Sequence, residues 1–499
     1  MDYCRQGKYD FASFEGAAFT RDSKKNSTPL LHAIESLCAK ALQGSRTDKA
    51  WRFSAHMLAQ LVCPGTHTIT GLLTTIGAQF RDWSADYRLY QRNRVGPERC
   101  FEPVRTWLCS NQKGPLVMAL DDTLVRKTGK KTHGVKYRRD PLGPPFQANL
   151  VRGQRFLEMS MACTGPEGQA RMIPVDWIHA PQPTKPSRRD DQQTWDTYDE
   201  QCKKTRLSVR ASERIKHMRL WLNKHRAATR HLWIMGDGSF TNSTVLKTLP
   251  ANTTFVGRIR ADAKLHHVPD TQPQHGRRRV YGDPAPTPEH LRQDDAIPWQ
   301  TITVFFGGKQ RPVQVKHLAP LRWRTAGQKL TLQLIVIAPT GYRLTTHGRK
   351  FYRQPCFLIC TDPEAPVADV VQYYLWRWDI EVNFRDEKTI LGVGEAQVRC
   401  PDSIQNVTGC AVAAYAMLLT AAAQCQRQHI PFDHLPPPRW DRRKKQRATT
   451  MQLIKNLRAE LWALSIDSSG FKIQQEVATK SQKWRPDLKS AMLYASSYS

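Results

Sequence analysis

Residues 116–123 read LVMALDDT and residues 232–238 read LWIMGDG. In both, a short apolar run ends on an acid, the pattern of a strand buried on both faces that delivers its last residue to the sheet edge. Residues 156–163 alternate like a third strand, and Ile215, Met218 and Leu222 mark an amphipathic helix just before the strand that carries Asp237. Strands alternating with helices predict an α/β layer. A carboxylate at such a strand end stands on rigid backbone, where a cation and a phosphate can reach it from solvent.

Working outward, the 499-residue chain exceeds the size at which one core stops growing, so several domains are expected. Residues 1–110 read as a helical domain suited to DNA binding. Within it, residues 68–76 and 85–95, the latter with Arg88, Arg92 and Arg94, fit either a helix-turn-helix or a plain helical bundle with a basic face. Residues 111–260 form the first part of the α/β core, in which the Pro-rich, charged stretch 181–199 reads as an exposed loop. Residues 261–350 are a β-rich insertion, with strands over 302–306, 313–318 and 330–337 and no helix of core length. Residues 351–425 return to the core through a strand at 357–359 and a long helix over 367–391, and residues 426–499 form a basic C-terminal region containing Arg442 to Lys445 and Arg447.

The net charge of +31 calls for a polyanion, and its spread along the chain favours nucleic acid over an anionic membrane. The twelve cysteines include no CxxC pair and no zinc-finger spacing, so they read as reduced core residues of a cytoplasmic protein. Charges interrupt the first ten residues, which argues against a signal peptide. The longest apolar stretch, 410–423, is shorter than the roughly 20 residues that cross a bilayer and reads as a buried helix.

The third acid is sought on the helix that starts at Val367. Setting Tyr374 at 0° and advancing about 100° per residue brings Arg377, Glu381, Arg385 and Lys388 onto one narrow face, with Asp379 directed elsewhere. One acid within a stripe of cations suits metal binding beside gripped phosphates. Each element has a plainer reading: Asp237-Gly238 as a turn, Asp121-Asp122-Thr123 as a cap, the stripe as a solvated face.

The spacing Tyr374-x2-Arg377-x3-Glu381-x6-Lys388 resembles the Y-x2-R-x3-E-x6-K signature of a large branch of bacterial insertion-sequence transposases of the DDE class. The similarity extends to DDTLVRKTGKKTHGV from Asp121 and to IMGDGSF around Asp237. The resemblance implies an RNase H-like core with a β-strand insertion, flanked by helical N- and C-terminal regions. It implies two Mg²⁺ (or Mn²⁺) ions on Asp122, Asp237 and Glu381, and DNA contacts from Tyr374, Arg377, Arg385 and Lys388. Adjacent strand residues face opposite ways, so only one of Asp121 and Asp122 can be the first ligand, and the family's habit of placing it before a Thr favours Asp122. Trp299 and Trp323 in the insertion fit either core packing or stacking on an unpaired base. The activity implied is cut-and-paste transposition of double-stranded DNA, by a homodimer assembled on that DNA in the bacterial cytoplasm, associated with the nucleoid. The rival readings are an RNase H-like nuclease without strand transfer and a catalytically idle DNA-binding repressor.

Overall fold

The computed structural model describes residues 28–468 apart from 81, 92–95, 130, 140–148, 226, 273–274, 328–329, 346 and 435–446. Arg92, Arg94 and the basic run 442–445 therefore lie outside the described residues. Helices α1 (Pro29–Ala41), α2 (Thr47–Val62), α3 (Ile69–Thr75), α4 (Ser84–Gln91) and α5 (Pro97–Asn111) come first. The strands β1 (Leu116–Arg126), β2 (Lys136–Arg139), β3 (Leu150–Thr164) and β4 (Ala170–His179) precede α6 (Gln192–Lys204) and α7 (Leu207–Lys224). Next are β5 (Leu232–Gly236), α8 (Ser243–Leu246), β6 (Thr253–Arg258), β7 (His266–His267) and α9 (Pro288–Gln293). Then come β8 (Gln300–Phe306), β9 (Lys309–Arg322), β10 (Leu332–Ile337), β11 (Gly341–Arg343), β12 (Lys350–Tyr352) and β13 (Cys356–Cys360). Helices α10 (Val367–Trp376), α11 (Asp379–Thr389), α12 (Pro401–Arg427) and α13 (Thr450–Ser468) follow.

The chain forms two compact units. One takes residues 41–416, and the other combines the described residues before 41 with those after 416. In the smaller unit the backbone N–H groups of Leu30 and Leu31, at the start of α1, donate to the Glu460 carboxylate at 3.3 and 2.7 Å. That places an anion on helical N–H groups with no partner inside the helix.

In the larger unit an 11-stranded sheet runs β2-β3-β1-β5-β6-β13-β10-β9-β7, with β4 paired to β3 and β8 to β9. The strands β1, β5 and β6 are parallel, while β3 lies antiparallel to β1. An antiparallel hairpin beside parallel strands, with helices packed on it, is an RNase H-like α/β arrangement. The apolar runs that predict β1 and β5 are buried from end to end before their acids: Met118, Ala119 and Leu120, and Leu232, Ile234 and Met235, are 0% exposed. The insertion is β-rich, and its β10 pairs with β13, which pairs with β6, so these strands extend the central sheet.

Two local expectations are revised. The stretch 181–199 is not loop throughout: Asp191 accepts from Thr194 N–H at 2.9 Å and caps α6, a helix with no buried residue. Without an apolar stripe, its sequence carries a cap but no periodic signal. The apolar stretch at 410–423 belongs to α12, which at 27 residues is long and apolar enough to cross a membrane, yet 94% of its apolar window is buried inside the protein.

The N-terminal helices of the larger unit are stitched by buried polar groups. Asp86, fully buried, accepts from Arg52 at 2.6 Å and pairs with His56 at 2.8 Å, while the Tyr90 hydroxyl meets the other His56 nitrogen at 3.1 Å. The Gln60 amide donates to Leu391 O, and Arg105, fully buried, donates to Val175 O. These bonds tie residues 41–111 to the sheet and to the chain just beyond α11.

Ile234 sits at the centre of β5, flanked by β1 and β6, with no exposed surface. Ile234→Ala is expected to cost about 2–5 kcal/mol, read as a drop in the denaturation midpoint. A loss below about 1 kcal/mol would contradict the packing described.

Candidate active site

Strand pairing brings the first two acids together. Leu120 is in register with Gly236 in the parallel β1–β5 pair, so the next residues, Asp121 and Asp237, stand side by side at the end of β5. Asp121 and Asp122 point to opposite faces of β1, and the charge of Asp237, just past the end of β5, acts on both. A turn holds Asp237: its Oδ1 accepts from Ser239 N–H at 2.9 Å and from the Ser239 hydroxyl at 2.6 Å. The expected turn chemistry is thus real, and it leaves Oδ2 clear of these bonds.

The expected single helix 367–391 is two helices, α10 and α11, wound more tightly where they meet. Across that junction the N–H groups of Arg377, Trp378, Ile380 and Glu381 bond to the carbonyls three residues back, which advances each residue further round than an α-helix does. Arg377 still reaches Glu381, donating at 3.3 Å, and its other terminal nitrogen donates to Asp121 at 2.8 Å. The guanidinium lies 5.6 Å from the Tyr374 ring. Lys388 stands 5.8 Å from the Phe384 ring, and Arg385, largely exposed, pairs with Asp386.

Helix α11 is pinned to the sheet by its other side. Asn383, buried, donates to Ser160 Oγ at 3.2 Å and to Met172 O at 3.0 Å, and accepts from the Tyr415 hydroxyl at 3.2 Å. Asp379, which the helical projection directs away from the stripe, accepts from Met172 N–H on β4 at 2.9 Å. These bonds set where Glu381 stands.

Electrostatics single out Asp121. Burial, opposed by Arg377 and reinforced by the Asp237 charge, pushes its carboxyl up to about 7. Burial also raises Glu381, against Arg377 and with Asp237. Burial pushes the Tyr374 phenol up to about 12. Carboxylates that raise one another suit a hard divalent cation, whose charge relieves the repulsion. Among the described residues, however, no three acidic, histidine or cysteine side chains stand close enough together to hold a metal ion. Asp121 and Glu381 are bridged by a guanidinium, not drawn onto one point.

Asp122 has neighbours of its own. Burial raises its carboxyl, the Arg155 charge opposes that rise from Nε at 3.1 Å, the Asp237 charge reinforces it, and Arg138 and Lys388 oppose it. β1 continues straight through both acids, and its period of two turns them to opposite faces.

Two further acids escaped the sequence reading. Glu158, in register with Asp121 on β3, and Glu387 on α11 are both buried. Glu158 accepts from Ser160 Oγ at 2.5 Å. Burial raises both carboxyls; Glu158 adds to the rise of Glu387, while Glu387, Ser160 and Asn383 oppose that of Glu158. Glu158 at an alternate position of an otherwise apolar strand was the available signal, whereas Glu387 looked like solvated charge.

Comparison with known proteins supplies the family. A family model described as DDE superfamily endonuclease matches residues 42–329, more than half of the chain. The chain belongs to the DDE superfamily of endonucleases. It is therefore a nuclease-type enzyme of nucleic acid, from a family that uses divalent metal ions. The match spans Asp121, Asp122 and Asp237 of this DDE endonuclease and ends before Glu381. A search of curated proteins found no match. Beside Gly238 a cavity of about 970 Å³ is lined by Arg258, Arg260, Trp323 and Phe357 among others. Of the two insertion tryptophans, Trp323 borders this space, while the Trp299 ring lies 4.8 Å from the Lys316 ammonium.

The buried Glu158–Glu387 pair has a sign that can be checked. Both groups hold protons in the folded protein above the pH at which the unfolded chain releases them. Their contribution is complete at low pH and is lost as pH rises past the ordinary carboxylate range towards neutrality. Melting temperature should therefore fall between about pH 5 and about pH 8, and less steeply in Glu387→Gln, whose amide donates to Glu158 without titrating. An unchanged slope in that variant would show that Glu387 does not hold a proton at neutral pH in the folded protein.

Proposed function

We propose that this DDE endonuclease is a transposase of the Y-x2-R-x3-E-x6-K branch, which cleaves transposon ends and joins them to target DNA by a cut-and-paste route. The observation that carries the reading is Arg377, which joins Asp121 on β1 to Glu381 through the Arg and Glu of that motif. Asp121, Asp237 and Glu381 would hold the metal, with Asp121 preferred to Asp122 because Arg377 joins it to Glu381. Two magnesium or manganese ions bound there supply Lewis acidity toward the attacking and departing oxygens of a phosphodiester.

The protein's own groups have defined tasks in this reading. Arg377, whose terminal nitrogens donate to Asp121 and Glu381, would orient these carboxylates, and its planar fork of N–H donors suits a phosphate. Tyr374 stays a neutral phenol, a hydrogen-bond donor to DNA beside Arg377. Lys388 and Arg385 add phosphate contacts along α11, and its pins to β4 keep these groups in step with Glu381. The net charge of +31 supports duplex DNA as the substrate. Both ends of an element must be cut in one assembly, so a homodimer formed on DNA in the bacterial cytoplasm, associated with the nucleoid, is the working unit. The domain plan read from the sequence goes with it, residues 1–110 recognising the ends and 426–499 adding basic contacts.

The test is cleavage and joining of labelled duplexes carrying the element's ends, with Mg²⁺. Asp121→Asn, Asp237→Asn and Glu381→Gln are each expected to lower cleavage by more than about a hundredfold, and chelation to abolish it. Asp122→Asn should retain substantial cleavage. Full activity in Asp121→Asn with none in Asp122→Asn would move the first ligand to Asp122. Cleavage without a joined product would indicate a hydrolytic nuclease, and no cleavage by the wild type a DNA-binding protein without activity.

A further inference from the structure

The face of the sheet that carries Asp122 holds an unusual concentration of cations. In the β1–β3 register Leu124 opposes Arg155 and Arg126 opposes Gly153, so Asp122, Leu124 and Arg126 share a face with Arg155. In the β2–β3 register Lys136 opposes Gly153 and Arg138 opposes Val151, which puts Lys136 and Arg138 on that same face. Four basic residues thus line one face around a single acid.

Their partners are unequally shared. Lys136 donates to Pro183 O, and Arg155 takes the Asp122 carboxylate at 3.1 Å. Arg138 is left with Nε and Nη2 buried and without a hydrogen-bond partner. Burial, then the nearby Arg155 charge, pushes Arg138 down to about 10, with Asp122 opposing. Buried guanidinium N–H groups left unmade are costly, and two guanidinium groups sharing one carboxylate leave positive charge uncompensated. A planar fork of donors beside a second arginine suits the oxygens of a phosphate.

We propose that Arg138 and Arg155 form a phosphate-binding site for the DNA backbone, with Asp122 as the positioning residue that orients Arg155. The site lies one residue along β1 from Asp121, on the other face of that strand. This rests on the reading of the protein as a DNA-cutting enzyme, and it gives the second acid of the DDT sequence a task other than metal binding.

The test measures binding of a labelled DNA duplex of arbitrary sequence by the full chain, in EDTA, across a salt series. Removing one phosphate-binding cation lowers the slope of log affinity against log salt by about 0.9. Arg138→Gln should lower the slope by about one such step and weaken binding, and Arg138→Gln with Arg155→Gln by about two. Arg138→Lys should restore part of the affinity. The control Arg188→Gln with Arg189→Gln, both exposed on the 181–191 segment, removes equal charge and should leave the slope nearly unchanged. Arg138→Gln removes N–H groups unpaired in the protein, so its melting temperature should match the wild type, and a circular dichroism melt checks this. Wild-type binding and cleavage with an unchanged slope in the double variant overturns the phosphate site alone. If the wild type binds no DNA, both this inference and the DNA-cutting reading fall.

Discussion

One guanidinium governs the site. Arg377 reaches a carboxylate on the central strand with one nitrogen and a carboxylate one turn along its own helix with another, at 2.8 and 3.3 Å. Three acids brought to the end of a sheet repel one another, and burial multiplies the cost because the low dielectric weakens screening. A fixed, always-charged fork is well suited to holding such a cluster together, since it cannot be neutralised by losing a proton. The same property makes it a fitting phosphate ligand.

The scaffold behind this contact is rigid where it needs to be. Two parallel strands deliver Asp121 and Asp237 side by side, and α11 is anchored through Asn383 and Asp379 to β3 and β4 instead of by a lone apolar stripe. The buried Glu158–Glu387 pair continues this seam one register position from Asp121. Polar anchors of this kind add little net stability, but they select one relative placement of helix and sheet, because any slip leaves buried groups unpaired. Such selectivity is useful beside a site whose geometry is set by three residues from distant parts of the chain.

The two faces of β1 divide the chemistry. One carries Asp121, Thr123 and Val125 towards α11 and the segment after it, where Lys127 donates to Gly394 O and Ala396 O. The other carries Asp122, Leu124 and Arg126 into a basic surface built with β2 and β3. Consecutive acids therefore pair with different arginines, Asp121 with Arg377 and Asp122 with Arg155, and the Asp237 charge reaches both. A polyanionic substrate running past the strand end meets both.

Much of this was legible without coordinates. Apolar runs ending on acids marked the strands that bear Asp121, Asp122 and Asp237, because a strand buried on both faces must be almost wholly apolar and its first charge marks where burial ends. The fixed spacing of Tyr374, Arg377, Glu381 and Lys388 marked the helical side, since local geometry along a helix follows from spacing alone. What sequence could not decide was everything that depends on register between distant strands. The placing of Glu158 opposite Asp121, the gathering of Arg138 with Arg155, and the extension of the sheet by the insertion are all of this kind. Each is set by which backbone hydrogen bonds form between segments tens to hundreds of residues apart. A shift of one residue in that pairing would exchange the faces without altering the local pattern of the sequence.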